Sequence, residues 1–314
     1  MSELAEQAVE AINEVSGRYD GHRAAHAKGT LCAGTFTPTA AAAELSPAAH
    51  FREPVRVTVR LSNGSGNPHA PDGERTEGRG IAIKFYLPDG GTTDIVGLTL
   101  PVFFVRDPEA FVEFVRARKP DPETGQPDME RIGAFLGEHP ETGAALQLIL
   151  PTLVPPRSYA NCAFNSIHAF RLGERWVRYR IEPEAGAENV PEEEIEGLAE
   201  DYLQADLRER LEAGPVRFRL YARLGEDGDP TDDPTQPWPD ERERVELGTI
   251  ELTGLETSRE NDGDVLVFDP TRVTDGIELS DDRVLNFRTH AYSVSVERRA
   301  GVPRPADVRR PAAG

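Results

Sequence analysis

The sequence predicts an α+β fold in which an eight-stranded antiparallel β-barrel carries helical insertions. Roughly eight segments have the alternating or β-branched composition that is typical of strands. Most of these segments are joined by short turns rich in Gly, Asn, Asp and Pro. The helical segments are gathered into insertions and do not alternate with the strands one by one. This arrangement favours a barrel of neighbouring strands over a parallel sheet built from β-α units.

The strand predictions rest mainly on residues 55–61, where apolar and polar side chains alternate as in a half-buried strand. The turn at 62–68 ends this strand, and a second alternating run follows. The complete set of predicted strands covers residues 29–36, 55–61, 80–86, 94–96, 163–172, 175–182, 215–224 and a pair near 246–252 and 264–268.

The helix predictions begin with residues 2–16, where Leu4, Ala8 and Ile12 recur at helical spacing before Gly17. We expect residues 1–302 to form a single domain, followed by a disordered tail over 303–314. The other predicted helical regions are an insertion over 107–150, an acidic helix from 191 to about 211, and a final helix over 290–299.

Composition and charge exclude several classes of function. The chain has 314 residues and a formal net charge of −20, which argues against binding to nucleic acid or to anionic membranes. No run approaches the roughly 18 apolar residues of a membrane span. The acidic N-terminus does not resemble a secretory signal, so we expect a cytoplasmic protein. Cys32 and Cys162 lie in apolar, strand-like contexts that are typical of buried, inert thiols.

The segment Arg23–Gly29 is the first candidate for chemistry. His26 lies between two alanines, with Arg23 three residues before it and Lys28 two residues after it. Small neighbours let an imidazole approach a flat partner closely, and the cations can hold anionic groups at the edge of that partner. By itself the pattern is more often that of a hydrogen-bonded histidine in the hydrophobic core than of a catalytic one.

A second candidate lies near the C-terminus, where Arg288 and Tyr292 stand four residues apart. On a helix these two side chains share one face. A guanidinium beside a phenol stabilises the phenolate, which can then bind ferric iron. Tyrosine is one of the few axial ligands of haem iron in proteins. The alternative is a stacked Arg–Tyr pair on the protein surface.

Taken together, the motifs resemble the haem catalase family in their order and spacing, over roughly residues 18–300. The resemblance is nearest to the short branch of catalase-related peroxidases, because the chain stops soon after the last motif. We therefore expect a barrel of catalase type without a C-terminal helical or flavodoxin-like domain. The motifs are Arg23–Gly29, Val59–Ser62, Arg79–Tyr86, Asp94–Gly97, Pro101–Pro108, Phe268–Pro270, Asp275–Asp282 and Arg288-x-x-x-Tyr292.

The resemblance implies haem b as cofactor, peroxide and a small organic electron donor as partners, and it leaves a homo-oligomer open. Ser62, Arg60 and Phe111 each have an alternative, as a turn residue, a solvated strand residue and a helix core residue. The implied roles are distal acid/base for His26, its hydrogen-bond partner for Ser62, haem propionate contacts for Arg23 and Arg60, a ring on the distal haem face for Phe111, and proximal iron ligation by Tyr292 with Arg288 beside it.

One departure from the family pattern bears on the activity. Where long catalases have Val-Gly-Asn-Asn-Thr-Pro, this chain reads Val-Gly-Leu-Thr-Leu-Pro, with Leu98 in place of the distal amide and Thr99 as the nearest hydroxyl. Loss of the amide makes the pocket more apolar, which favours a peroxidase over an efficient hydrogen peroxide dismutase. True catalase, hydroperoxide isomerase and a non-catalytic carrier of haem or an apolar ligand are the alternatives.

Overall fold

A computed structural model describes residues 1–75, 77–256 and 265–301 of the chain. Within these residues the strands form a single sheet in which every pairing is antiparallel. They are β1 (Gly29–Pro38), β2 (Val55–Asn63), β3 (Arg79–Tyr86), β4 (Thr92–Leu98), β5 (Phe164–Asn165), β6 (Phe170–Leu172), β7 (Arg175–Pro183), β8 (Val216–Leu224), β9 (Arg244–Leu255) and β10 (Ile277–Leu279).

The sheet closes into the predicted eight-stranded barrel. The closed ring runs β1–β2–β3–β4–β5–β7–β8–β9 and returns to β1, while β6 and β10 extend the sheet from one end of β7. The predicted strand over 163–172 is divided into β5 and β6. Ile167 lies between them with φ of +67°, a left-handed conformation that interrupts a strand.

Strand alternation separates the barrel interior from its outer face. In β2, Val57, Val59 and Leu61 are buried in the main hydrophobic core, and Arg60 and Ser62 occupy the alternate positions. The same alternation in β3 and β4 supplies further apolar side chains to the interior. One face of these strands is therefore a packed core, and the other is available for a site.

The helices pack outside the barrel. Helices α1, α3 and α7 share a buried apolar cluster, so they form a layer of their own beside the strands. No helix within the described residues combines the length and the apolar character that crossing a membrane requires. The helices are α1 (Ser2–Ser16), α2 (Ala40–Leu45), α3 (Pro108–Ala117), α4 (Met129–Glu138), α5 (Pro140–Ile149), α6 (Tyr202–Ala213) and α7 (Arg283–Ala300).

The acidic helix predicted over 191–211 is wrong at its start. A short 3₁₀ helix covers Glu192–Gly197, and α6 begins only at Tyr202. Between them, the Lys28 ammonium donates to the carbonyl of Glu200 at 2.8 Å and lies 2.6 Å from a carboxylate oxygen of Asp201. These contacts hold the segment outside a helix, which the local sequence could not indicate.

Two further predictions differ from the structure. Residues 265–268 do not form the second strand of the predicted pair, because the carbonyls of Leu266 and Val267 accept hydrogen bonds from side chains. The final helix starts at Arg283, seven residues earlier than predicted, because Asp282 caps its N-terminus. Residue 264 and the tail over 303–314 lie outside the described residues.

Candidate active site

His26 lies in the loop between α1 and β1, in an unusual backbone conformation. Its φ is +55°, in the left-handed region that residues other than glycine seldom adopt. Its N–H donates to the carbonyl of Gly64 at 3.1 Å, and its own carbonyl accepts from Arg60 Nη1 at 2.8 Å. Arg60 Nη2 also donates to the carbonyl of Ala27 at 3.1 Å. The buried guanidinium therefore stabilises the loop in the conformation that presents the imidazole.

Ser62 and two glycines fix the position of the imidazole against the barrel. His26 Nδ1 lies 3.0 Å from Ser62 Oγ, so Ser62 engages one ring nitrogen. Ser62 is paired with Gly29 on β1 and with Gly80 on β3. A Cβ atom at position 80 would lie 2.8 Å from His26 Nδ1, and one at position 29 would lie 2.6 Å from Arg60 Cζ. Both glycines are required by close approach.

The surroundings of His26 keep its imidazole neutral. Burial lowers its pKa to about 3, and the positive charges of Arg60, Arg288 and Arg23 act in the same direction. A neutral imidazole at physiological pH can accept a proton and later return it. His26 therefore has the protonation state that acid/base chemistry needs.

Arg288 and Tyr292 form the predicted pair on α7. Arg288 Nε donates to Tyr292 Oη at 2.9 Å, and Nη2 donates to the same oxygen. Both side chains are partly buried and line a cavity, so the pair does not lie on the open surface, and Arg288 Cζ is also 5.4 Å from the centroid of the Tyr292 ring. Two donors of one guanidinium group therefore meet a single phenol oxygen.

The start of α7 holds a second pair that the sequence analysis missed. Asp282 caps the helix and also lies 2.6 Å from Nδ1 of the buried His168. Burial lowers the pKa of His168. An Asp directly before a helix is a recognised capping signal and could have located Asp282. Nothing near His168 in the sequence indicated its partner, which lies 114 residues away.

A cavity of about 950 Å³ lies between the outer face of the barrel and the helical layer. This volume is at the upper end of the roughly 300–1,000 Å³ that is typical of pockets for small molecules and cofactors. The structure brings all seven predicted site residues to its walls, which are Arg23, His26, Arg60, Ser62, Phe111, Arg288 and Tyr292.

The cavity also contains charged residues that the sequence analysis missed. Arg299 and Arg23 both donate to the carbonyl of Leu266, at 2.9 and 3.2 Å, so two guanidinium groups meet at one edge. Glu77 lines the cavity, and burial raises the pKa of its carboxyl group to about 7. No local motif marks either Arg299 or Glu77, because their importance comes from what lies beside them in space.

The wall near Phe111 is aromatic. The ring of Phe111 is nearly parallel to that of Phe103, with an interplanar angle of 7° and centroids 6.3 Å apart.

Leu98 lines the cavity opposite Gly80 in the β3–β4 register. The hydroxyl of Thr99, by contrast, accepts a hydrogen bond from the N–H of Arg79 at 2.9 Å. The wall beside His26 is thus apolar, as the Leu98 substitution predicts.

The donor set fits a flat, anionic, metal-bearing organic group better than a bare metal ion. Among the described residues, no three His, Cys, Asp or Glu side chains are grouped so that they could hold a metal. Tyr292 offers a single phenol oxygen, and so the other ligands of a metal would come from the organic group itself. The guanidinium groups of Arg23 and Arg299 suit carboxylates on its edge.

The closed antiparallel barrel and the cavity between its outer face and the helical layer define the architecture of the protein. The chain belongs to the catalase family, since the sequence model of that family, described as Catalase, matches residues 7–305. Members of this family bind haem.

Individual relatives refine this assignment. The chain is 42% identical over 307 residues to the catalase-related peroxidase of Mycolicibacterium paratuberculosis, covering 96% of each protein. It is 35% identical over 300 residues to that of Synechococcus elongatus, covering 94% of this chain and 88% of the relative.

Solved catalases share the fold. A fungal catalase superposes with a TM-score of 0.79 at 28% identity, covering 90% of this chain and 60% of that one. Catalase A of Saccharomyces cerevisiae gives 0.78 at 26% identity, covering 88% and 61% respectively. The chain thus spans about 60% of the length of these catalases.

Proposed function

We propose that this protein is a haem-dependent peroxidase that uses hydrogen peroxide or an organic hydroperoxide to oxidise an organic donor, with some residual catalase activity. One observation carries the proposal. A neutral imidazole with a serine partner, His26–Ser62, and a guanidinium–phenol pair, Arg288–Tyr292, line the same cavity of about 950 Å³. The names of the two catalase-related peroxidases support the same activity.

The cavity residues would hold haem b as follows. Tyr292 would provide the iron ligand as a phenolate, and Arg288 would stabilise its charge. Arg23 and Arg60 would meet the propionates, and Arg299 joins Arg23 at the same edge. Phe111 would stack on the distal face. The haem supplies the redox chemistry when it is bound.

His26 would carry the proton transfers. Cleavage of a peroxide O–O bond requires a base that takes a proton from one oxygen and returns it to the leaving oxygen. The imidazole is neutral, so it can act first as base and then as acid. Ser62 would fix the ring through Nδ1 and leave Nε2 for the peroxide. Arg60 holds the loop that carries the imidazole and so acts as a positioning residue as well.

The apolar wall at Leu98 favours the peroxidase over a true catalase. A dismutase must bind and orient a second hydrogen peroxide, and an amide donor beside the imidazole would assist this. Leu98 cannot donate a hydrogen bond. A carrier of haem or of an apolar ligand would not need His26, Ser62 and Arg23 in one cavity. A hydroperoxide isomerase would consume the organic hydroperoxide without oxidising the dye donor, which distinguishes it from a peroxidase.

The proposal also covers the domain organisation, the location and the partners of the protein. We infer a single haem domain over residues 1–302 that acts in the cytoplasm, without nucleic acid or membrane partners. The net charge of −20 supports the exclusion of both. Catalases are commonly oligomeric, and a homo-oligomer is consistent with family membership.

The test is to express the protein with haem, record its absorption spectrum and measure turnover of each peroxide with a dye donor. We expect a Soret band, dye oxidation with both peroxides, and slow oxygen release from hydrogen peroxide alone. Tyr292→Phe should lose or weaken haem binding, and Arg288→Gln should shift the spectrum of the bound haem. Absence of a Soret band would refute the proposal, and fast oxygen release without a donor would favour true catalase.

A further inference from the structure

One face of α3 leads from the aromatic wall of the cavity to its rim. Phe111, Phe114, Val115 and Arg118 all line the cavity and follow one another at helical spacing. A helix rises about 1.5 Å per residue, so Phe111 and Arg118 are about 10 Å apart along the axis. This face therefore spans the distance from the proposed distal pocket to the rim.

The rim is apolar on the side facing α3. Leu150 lines the cavity and is also 62% exposed, so the cavity reaches the protein surface beside it. Leu148 and Val154, two and four residues away in the chain, are also exposed, at 41% and 38%. A group of exposed apolar side chains, unlike a single one, is typical of a contact surface. The other apolar side chains of this rim come from α4, α5 and the turn after α5 and are Ile132, Leu146, Ile149 and Leu153.

Arg118 provides a positive charge at this rim. Its guanidinium carbon lies 5.6 Å from the centroid of the Phe114 ring. No carboxylate among the described residues pairs with Arg118. Its neighbours differ, because Arg116 and Lys119 both pair with Glu14, at 3.6 and 3.2 Å. Arg118 is solvent-exposed and also lines the cavity, so its guanidinium group is accessible to an anionic ligand at this apolar opening.

A favourable interaction with the C-terminal end of α3 does not by itself account for the position of Arg118. A cation near a helix C-terminus is favourable, and Arg116 already provides one in the last turn. This interaction also does not require the side chain to line the cavity, as that of Arg118 does. A guanidinium group is well suited to binding a carboxylate through two hydrogen bonds.

We propose that Arg118 binds the carboxylate of an amphipathic substrate whose apolar body lies along the α3 face and the apolar rim, with its other end near Phe111. The proposal deepens the proposed function and rests on it for the reaction at that inner end. It names the substrate class as organic acids with an extended apolar body of about 10 Å. Such a compound is either the hydroperoxide or the electron donor.

Binding is tested on the haem-loaded protein with two probes of equal chain length, dodecanoate and 1-dodecanol, by calorimetry. The parent should bind dodecanoate about tenfold or more tightly than the alcohol, as expected for a hydrogen-bonded charge pair. Arg118→Gln should remove this preference, and Arg118→Lys should retain part of it. Arg116→Gln is the matched control, because Arg116 lies at the same helix end and does not line the cavity; it should keep the full preference.

Inhibition kinetics distinguish the two sources of the carboxylate. Competition of dodecanoate with an organic hydroperoxide assigns the site to the peroxide, and competition with the dye assigns it to the donor. Equal affinity of the parent for acid and alcohol, or an unchanged preference in Arg118→Gln, would overturn the inference. If no peroxide is turned over while dodecanoate still binds through Arg118, the proposed function fails and the carboxylate site stands.

Discussion

Two histidines in this protein have pKa values lowered to about 3, yet they lie in regions of opposite character. His50 is inside the barrel, 0% exposed, with Phe36, Phe51 and Phe85 around it. Neither of its ring nitrogens has a hydrogen-bond partner among the described residues. His26 lies outside the barrel and has a serine partner, three nearby arginines and a cavity.

The comparison shows that a lowered pKa alone does not mark an active site. Burial is the sole cause for His50, whereas fixed charges and a hydrogen bond also act on His26. The interpretation of a lone histidine as a core residue describes His50 in this fold. What makes His26 different is the set of groups that other strands and helices bring to it.

The largest effect should come from removing His26, and the removal of His50 is the control. His26→Ala should lower peroxide turnover by about 10²–10⁴-fold, because the proton transfers lose their acid and base. His50→Leu should leave turnover close to that of the parent, because His50 faces the barrel core. Steady-state dye oxidation with haem-loaded proteins measures both. Equal turnover in His26→Ala and parent would remove the imidazole from the mechanism.

A smaller change tests whether the position of the His26 ring matters. Gly80→Ala would place a Cβ atom 2.8 Å from the ring and so displace it. We expect a loss of about 10²-fold in turnover, as for a catalytic group moved by about 1 Å. Gly133→Ala is the control, because a Cβ atom there meets nothing within 4 Å. Retention of full activity by Gly80→Ala would show that the ring tolerates displacement.

His50 should make the protein less stable in acid. Its pKa is about 3 in the folded protein and about 6.5 in the unfolded chain, so between these values the unfolded state binds more protons. The free energy of unfolding should therefore fall as the pH decreases from about 6.5 towards 3, by up to about 1.4 kcal/mol per pH unit from this residue. His50→Leu should show a shallower decline in denaturant titrations over this range. An identical slope would contradict the assignment of a neutral, buried His50.

The smallest expected effect concerns the apolar wall beside His26. Leu98→Asn introduces an amide donor into the cavity wall, and one added hydrogen bond is worth about 0.5–1.5 kcal/mol. We therefore expect oxygen release from hydrogen peroxide to rise about 2- to 10-fold relative to dye oxidation. Leu98→Val, which stays apolar, is the control. A ratio that does not change would mean that the amide alone does not favour dismutation.

The sequence predicted local features well. The alternation in 55–61 gave β2, helical spacing gave α1, and the four-residue separation of Arg288 and Tyr292 gave a pair in direct contact. These predictions succeeded because each depends on the period of a single element. Both cysteines are buried with pKa values raised to about 12 by burial, as their apolar context predicts.

Features that depend on distant partners were not predictable from one chain segment. Two such features are the contact of His168 with Asp282 and the hydrogen bond from Lys28 to the carbonyl of Glu200. Each joins residues more than 100 positions apart in the chain. The division of the acidic helix follows from such contacts. The early start of α7, by contrast, follows from the Asp282 cap, a local signal that the sequence analysis missed. The residues predicted through the family resemblance do meet in one cavity, but only the tertiary structure shows which groups surround them.

By itself, then, the sequence determined the strand and helix periods, the barrel class and the identity of the reactive residue types. The tertiary structure decided that His26 faces a cavity while His50 packs among buried phenylalanines, because neither residue lies on a strand whose alternation could predict its side. It also decided the conformation of His26, which depends on hydrogen bonds from Arg60 and to Gly64. Such contacts are absent from any local pattern, since they form only when strands and loops distant in the chain come together.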